Sequence, residues 1–195
     1  RRFENPSGDV IIGSAISDGK PIAIKGTLNE SGELTAQQTY RFYGVWSAYE
    51  NRYTGKKENQ FAFKTFVKAT PASKAGIVSY LKSLKLPGIG AATAGKLFDK
   101  FGPDTIRVIR ETPDVAAASV PRLSEEKVVE AAAILEKEWR TEATKIELIE
   151  LFAGRGFRLS LADDCIKAFG NRAAEIVKRS PYRLMRFSEI GRAHV

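Results

Sequence analysis

The residues whose types and spacing are best suited to binding chemistry lie around a glycine turn. A GxG turn stands directly before a segment with helical spacing, and lysines flank it on both sides. A turn without side chains allows close approach, and the helix behind it offers unpaired N–H groups and the positive end of its dipole. These features favour phosphate binding through backbone amides and nearby ammonium groups. The candidate residues are Lys85, Gly88, Ile89, Gly90, Lys96 and Lys100.

Two other interpretations fit the same stretch. The run Gly90 to Leu97 is one residue short of the nucleotide-binding loop GxxxxGK[ST], because Leu97 stands where the magnesium-binding hydroxyl is needed. That loop must also follow a strand, and the segment before Gly88 has a helical period. The second alternative is a purely structural helix pair, in which the glycines only permit tight packing.

Two amphipathic segments must position this turn. Apolar residues recur at helical spacing on each side of it, until Gly102 and Pro103 end the second segment. The pattern predicts a helix-hairpin-helix unit that clamps a nucleic-acid backbone without reading bases. The apolar positions are Ile77, Tyr80, Leu81 and Leu84 upstream, and Ala94, Leu97, Phe98 and Phe101 downstream.

The composition favours a polyanionic partner. The 195 residues contain 31 Lys plus Arg against 23 Asp plus Glu, a formal net charge of +8. A single cysteine excludes an internal disulfide and a cysteine-based zinc cluster, and we expect no metal site and a reducing, cytoplasmic location. The sequence shows neither a signal peptide nor a membrane-spanning run. The chain lacks an initiating Met and ends at Val195, where we expect a new element to begin, so we interpret it as a segment of a longer protein.

The first 72 residues read as strands. Four β-rich runs, 10–16, 22–28, 40–46 and 60–68, alternate with turn residues, and Gly44 marks an expected bulge or bend. Short strands rich in aromatic residues and glycine bends suit a small closed barrel such as the OB-fold. The predicted fold class is therefore α+β and multidomain, with an OB-like β-barrel before an all-α helix-hairpin-helix region.

Aromatic and basic side chains in the barrel could stack on unpaired bases. The candidates are Tyr49, Arg52, Tyr53, Lys56 and Lys57. We expect Trp46, Phe61 and Phe63 to fill the core instead.

Everything after Pro71 has helical periodicity, and we predict two further domains, 73–123 and 124–195. Val120-Pro121-Arg122-Leu123 stands where a second hairpin would fall, but it has no glycine. No Pro or Gly interrupts Ser124 to Ala153, so the sequence leaves open whether one or two helices lie there. We expect Cys165 to be a core residue, and no side chain of this chain to be catalytic.

The helical region contains an internal repeat. Phe101-Gly102 is followed by Pro113 at the same interval that separates Phe169-Gly170 from Pro181. A GxG precedes each copy, at residues 88–90 and 154–156, and the tail at Ile190 is a candidate start of another hairpin. The second copy is strongly basic, which makes Arg155, Gly156 and Arg158 further candidates for backbone contact.

The stretch YLKSLKLPGIGAATAGKLFDKFGPDTIRVIRETPDVA, followed by KAFGNRAAEIVKRSPYRL and IGRA, resembles the N-terminal region of long RecD-like DNA helicases. The family pattern has a GIG hairpin, an FG-led helix, an Asn-Pro-Tyr element and an Ile-Gly-Phe hairpin. Here Ser180 replaces the asparagine, Arg192 replaces the phenylalanine, and the middle hairpin is VPRL.

The resemblance implies a parent that is an ATP-dependent 5′ to 3′ DNA helicase, with roles in repair and recombination. The motor domain would follow in the same chain and use ATP and Mg, while the present segment would need no cofactor. Its partners would be that motor and DNA, either single-stranded or a fork, with no membrane.

Two other functions remain open from the sequence. A branched-DNA junction binder similar to RuvA also joins an OB-fold to paired hairpins, although both of its hairpins contain glycine. A protein-interaction scaffold would use the same helices without touching DNA.

Overall fold

The computed structural model describes residues 2–3, 9–28, 34, 38–51 and 55–187. These residues form two compact units. The first unit takes its described residues from 1–33, 41–67 and 144–195, and the second from 34–40 and 68–143. The fold class is α+β.

The described elements are five strands and seven α-helices, with short 3₁₀ turns between some helices. The strands are β1 (Arg2–Phe3), β2 (Asp9–Ser17), β3 (Lys20–Leu28), β4 (Tyr40–Glu50) and β5 (Lys57–Lys68). The helices are α1 (Lys74–Ser83), α2 (Ala91–Phe101), α3 (Thr105–Glu111), α4 (Pro113–Ser119), α5 (Glu125–Phe152), α6 (Leu161–Phe169) and α7 (Ala173–Arg179).

The strands form one mixed sheet in the order β1-β2-β3-β5-β4. Strands β2 and β3 are antiparallel around Asp18 and Gly19, whose φ values of 50° and 75° suit a two-residue hairpin turn. Strand β3 runs parallel to β5, with Ile24 opposite Phe61. In the described part of the chain no pairing joins β1 to β4, so the expected closed barrel is not shown and the sheet is open.

Gly44 lies where β4 and β5 approach closely. A Cβ built on this residue would lie 2.1 Å from the carbonyl oxygen of Ala62 and 2.6 Å from the Cα of Phe63. Any side chain would therefore push the two strands apart, which explains the glycine that the sequence suggested as a bulge or bend.

The first unit packs its sheet against the C-terminal helices. Val67 of β5 is buried together with Phe152, Leu161 and Cys165. The same core contains a buried ion pair between the Lys145 ammonium and the Asp163 carboxylate, with side chains 11% and 8% exposed.

That buried carboxylate also links helix to strand. The Thr65 hydroxyl donates to Asp163 Oδ2 over 3.1 Å, and the Lys145 ammonium lies 5.2 Å from the Phe66 ring centroid. Burying two charges is tolerated only when each is paired and hydrogen-bonded, and here both conditions are met.

The second unit is a helical core. Ile77 and Leu81 of α1, Leu97 of α2 and Ile109 of α3 are completely buried, as the helical spacing predicted. The apolar residues Leu86 and Ile89 of the GxG turn belong to the same core. The turn is therefore anchored by its own side chains.

Helix α5 is one continuous helix of 28 residues, which answers a question that the sequence left open. Its residues before Thr144 belong to the second unit and those after it to the first. The units thus divide the chain differently from the predicted domains 1–72, 73–123 and 124–195. The reason is tertiary, because the last turns of α5 bury Leu148, Ile149 and Phe152 in the core that holds Val67.

The internal repeat predicted from sequence is visible in the backbone. Gly102 after α2 has φ 57° and ψ −137°, and Gly170 after α6 has φ 61° and ψ −147°. A 3₁₀ turn and a seven-residue helix follow each glycine, and each helix ends just before a proline, Pro113 or Pro181. Gly154 matches Gly88 in the turn, with φ 72° against 70°, and the Arg155 N–H donates to the Phe152 carbonyl over 3.1 Å as the Ile89 N–H donates to the Leu86 carbonyl over 3.2 Å.

Across the residues that the structure describes, no helix combines the length and the apolar character that crossing a membrane requires.

Candidate nucleic-acid interface

The turn between α1 and α2 has a hydrogen-bonded backbone and is open at its surface. Lys85 follows α1 with φ 50°, Gly88 has φ 70°, and the Ile89 N–H donates to the Leu86 carbonyl over 3.2 Å. Leu86 and Ile89 are only 5% and 2% exposed, whereas Gly88 and Gly90 both lie at the surface. The two apolar residues anchor the turn and leave the glycine backbone accessible.

Helix α2 begins without a side-chain cap. Gly90 is its N-cap, with φ −81° and ψ 179°, and has no side chain to accept from the first-turn amides. Ala91 and Ala92 are exposed, and the first turn carries no acidic residue. The positive end of the helix dipole therefore faces the surface without a neutralising carboxylate.

The same geometry decides against the nucleotide-binding loop. The segment before Gly88 is helix α1, whereas that loop follows a strand, and the run from Ala91 to Leu97 lies inside α2.

Three lysines lie along this hairpin, with Lys85 before the start of α2, Lys96 in its second turn and Lys100 in its last turn. Lys85, Lys96 and Lys100 are exposed, and none has an ion-pair partner within the part of the chain that the structure describes. By contrast, Lys74 on α1 is paired with Asp99 at 2.5 Å. Lys96 and Lys100 lie one helical turn apart on the side of α2 that begins at Ala92, a row about 12 Å long.

Sequence reasoning missed a fourth cation, Lys127 of α5. A Cβ built on Gly88 would lie 3.2 Å from both Cβ and Cδ of Lys127, and 3.3 Å from Cδ1 of Leu123. Lys127 is exposed and its aliphatic stem lies beside Gly88, so a further cationic side chain borders the turn. No local signal could have revealed this, because the contact joins residues 39 positions apart in the chain.

The glycine-free sequence Val120-Pro121-Arg122-Leu123 nevertheless forms a turn like the first one. Arg122 has φ 65°, close to the 70° of Gly88, and the Leu123 N–H donates to the Val120 carbonyl over 3.2 Å. The helix behind it, α5, begins with Glu125 and Glu126 in its first turn. Those carboxylates already neutralise the helix dipole and would repel a phosphate.

The third hairpin joins α5 to α6 through Gly154 and Gly156. The Arg155 guanidinium donates to the Leu151 carbonyl, and Arg158 is paired with Asp164 at 2.7 Å. Helix α6 has Asp163 and Asp164 in its first turn. Arg155, Gly156 and Arg158 do lie together at one turn, but both arginines are engaged internally and the helix start is acidic.

The candidates on the sheet are less well placed. The Tyr49 hydroxyl donates to Glu58 Oε2 over 2.7 Å, which raises the pKa of Tyr49 and lowers that of Glu58. Lys56 and Lys57 are exposed beside the β4–β5 turn. Arg52 and Tyr53 lie outside the described residues.

The side chains that the sequence placed in the core differ in their burial. Phe63 is buried at 4% exposure, as predicted, and Phe61 is half-buried. Trp46 was wrongly expected in the core and is 60% exposed, because its ring lies against Phe61 at the surface, 5.4 Å between centroids. Cys165 is fully buried, and burial raises the pKa of its thiol to about 12.

No protein-family model matches this chain, and no solved structure matches it. The resemblance to RecD-like helicases therefore rests on the sequence motifs alone.

Proposed function

We propose that this chain binds a nucleic-acid backbone without sequence specificity, as the accessory segment of an ATP-dependent 5′ to 3′ DNA helicase. The hairpin between α1 and α2 is the clamp. It holds phosphate oxygens on the exposed first-turn amides of α2, with Lys85, Lys96 and Lys100 alongside.

The observation that supports this proposal most strongly is the difference between the three hairpins. Helix α2 starts with no acidic residue in its first turn, whereas α5 starts with Glu125 and Glu126 and α6 with Asp163 and Asp164. An uncapped, carboxylate-free helix N-terminus beside unpaired lysines favours an anion. Glu125 and Glu126 would oppose an anion at α5, while at α6 Asp163 is buried against Lys145 and Asp164 is paired with Arg158, the cation nearest that helix start in sequence.

The row of lysines suits a strand rather than a single anion. The side of α2 from Ala92 to Lys100 is about 12 Å long, and Lys96 and Lys100 are about 6 Å apart along the helix axis. The two lysines can therefore contact different phosphates of one strand. Contacts of this kind bind all sequences alike.

The sheet is the second part of the proposal. Five strands with mixed pairing suit an OB-like, partly open barrel that accompanies the clamp. Within the helicase, the segment would hold a single strand or a fork for the motor of the same chain, which would use ATP and Mg.

Titration of labelled DNA by fluorescence anisotropy tests the clamp. We expect two unrelated single strands of equal length to bind equally, and log K to fall linearly with log salt concentration. Lys96→Glu and Lys100→Glu should each weaken both strands alike and reduce the salt slope by about one. Lys137→Glu, the same charge change on the exposed side of α5, is the matched control.

The outcomes separate the candidate functions. Absence of binding at low salt, or equal losses for Lys96→Glu and Lys137→Glu, would overturn the clamp and favour a protein scaffold. A strong preference for four-way junctions over single strands would favour the RuvA-like function. A coding sequence that continues into an intact GxxxxGK[ST] loop would support the helicase parent. A continuation without that loop would refute the helicase parent but not the proposed clamp.

A further inference from the structure

A small cavity in the second unit is separate from the hairpin turn. Its volume is about 220 Å³, and it lies between the residues after β5 and helices α1, α3 and α5. Ile106 and Leu135, 8% and 2% exposed, form apolar parts of its lining. Pockets for drug-sized ligands measure roughly 300–1,000 Å³, so this cavity fits one ring system rather than a whole nucleotide.

Two aromatic residues line the cavity, Tyr80 from α1 and Trp139 from α5. The indole of Trp139 is half exposed, and the guanidinium carbon of Arg110 lies 4.5 Å from its centroid. Arg110 is itself fixed by Glu111 at 2.5 Å and by Glu136 at 3.6 Å. The guanidinium, held by its carboxylates, therefore covers one face of the indole, and a base would stack on the other.

The polar groups of the lining include both a donor and acceptors. Burial raises the pKa of Tyr80 to about 12, and the charges of Glu138 and Glu142 act in the same direction. The phenol is protonated at neutral pH, as an unperturbed tyrosine also is, and can donate a hydrogen bond. Glu142, whose carboxylate accepts the backbone N–H of Lys68 over 3.1 Å, is an acceptor in the same lining.

We infer that this cavity receives one unpaired base of the strand that the α1–α2 hairpin holds, an inference that rests on the proposed clamp. A base is a flat ring with donors and acceptors on its edge, which matches an aromatic wall with a phenol and a carboxylate. Stacking on an aromatic side chain accepts every base, since each has a π-face. The lining also contains Lys68, Arg107 and Arg110, but each of these cations is already paired with a carboxylate, so the aromatic wall rather than free charge defines the ligand.

The inference adds a preference that the clamp alone lacks. Backbone contacts at α2 hold paired and unpaired strands alike, whereas a base can enter the cavity only when it is out of a duplex stack. The second unit should therefore favour single strands over duplexes of equal charge.

Fluorescence of Trp139 provides a direct test. The chain has two tryptophans, and Trp46→Phe leaves Trp139 as the only one. This variant is titrated with a labelled single strand, a duplex of the same length, and an abasic strand with the same number of phosphates. We expect the single strand to quench Trp139, and the abasic strand to bind about fivefold or more weakly without quenching.

Variants give a second readout. Trp139→Ala should weaken single-strand binding about fivefold or more and leave duplex binding unchanged. Trp46→Ala removes a similarly exposed indole from the other unit and serves as the matched control. The fluorescence titration uses an intact cavity, so it decides the question even if Trp139→Ala fails to fold.

Different experimental results would refute the cavity site and the proposed clamp. Binding of all three DNAs with equal affinity and no change in Trp139 emission would overturn the cavity site alone. Absence of binding to any DNA at low salt would overturn both.

Discussion

Replacing Gly90 with Asp separates folding from phosphate binding at the α1–α2 hairpin. Gly90 has φ −81° and ψ 179°, a conformation open to any residue, and a Cβ built on it meets no atom within 4 Å. An aspartate therefore fits without strain and stands at the N-cap of α2. There its carboxylate can accept the first-turn amides that we propose for phosphate oxygens.

The two effects of this change have opposite signs. An N-cap Asp gains a few tenths of a kcal/mol over Gly, and a negative charge at a helix start adds about 0.3–1 kcal/mol. A gain of about 1 kcal/mol corresponds to a rise of roughly 2–4 °C in melting temperature for a chain of this size. Losing one hydrogen bond to a charged phosphate costs about 1.5–3 kcal/mol, a drop in DNA affinity of roughly 10- to 100-fold.

The assay pairs thermal unfolding with anisotropy titration, and Ser73→Asp is the control. Ser73 is the N-cap of α1 with φ −82° and ψ 152°, and its hydroxyl already accepts the Gly76 N–H over 3.2 Å. The control adds the same charge at the same helix position in the same unit. If Gly90→Asp binds DNA as well as Ser73→Asp does, the phosphate site at α2 is refuted. If Gly90→Asp melts at a lower temperature than the unchanged chain, our account of the uncapped helix start is refuted.

Two further predictions concern stability, both measured by urea unfolding. Asp163→Ala leaves the buried Lys145 charge without its partner and should lower the free energy of unfolding by about 3–5 kcal/mol. Asp99→Ala breaks a pair whose side chains are 52% and 63% exposed, so it should lower the free energy of unfolding by less than about 1 kcal/mol. Similar losses of stability for the two variants would contradict the argument from burial. Gly44→Ala places a methyl group against the Ala62 carbonyl and should destabilise by about 1–3 kcal/mol, and an unchanged midpoint would show that β4 and β5 can separate freely.

The sequence predicted the local structure around the candidate site well. The apolar spacing of Ile77 and Leu81 before the turn, and of Ala94 and Leu97 after it, indicated two helices, and these residues are fully buried on α1 and α2. The repeat of Phe-Gly and Pro likewise appears as two matching helix–turn–helix backbones. Signals of this kind work because helical period, caps and left-handed turns depend on a few neighbouring residues.

The sheet shows what local sequence patterns can and cannot predict. The four predicted runs all lie in strands, and the α+β class follows from them. The closed barrel does not, because closure needs a pairing between β1 and β4, and the described residues of these strands do not pair with each other. Alternation within a strand predicts its two faces but not its neighbours.

Exposure and long-range contacts were decided by packing alone. Trp46 and Phe63 look equally suited to a core in the sequence, yet one is 60% and the other 4% exposed. Lys127 lies against Gly88 although 39 residues separate them, and α5 belongs to both units because its two ends bury different faces.

By itself, then, the sequence determined the helices, the strands, the glycine turns and the basic charge of this protein, since each is set by residues close together in the chain. The tertiary structure decided which turn keeps an uncapped helix start, which cations border that turn, and where an aromatic cavity forms. Those properties are sums of contacts between distant residues, and no local pattern contains them.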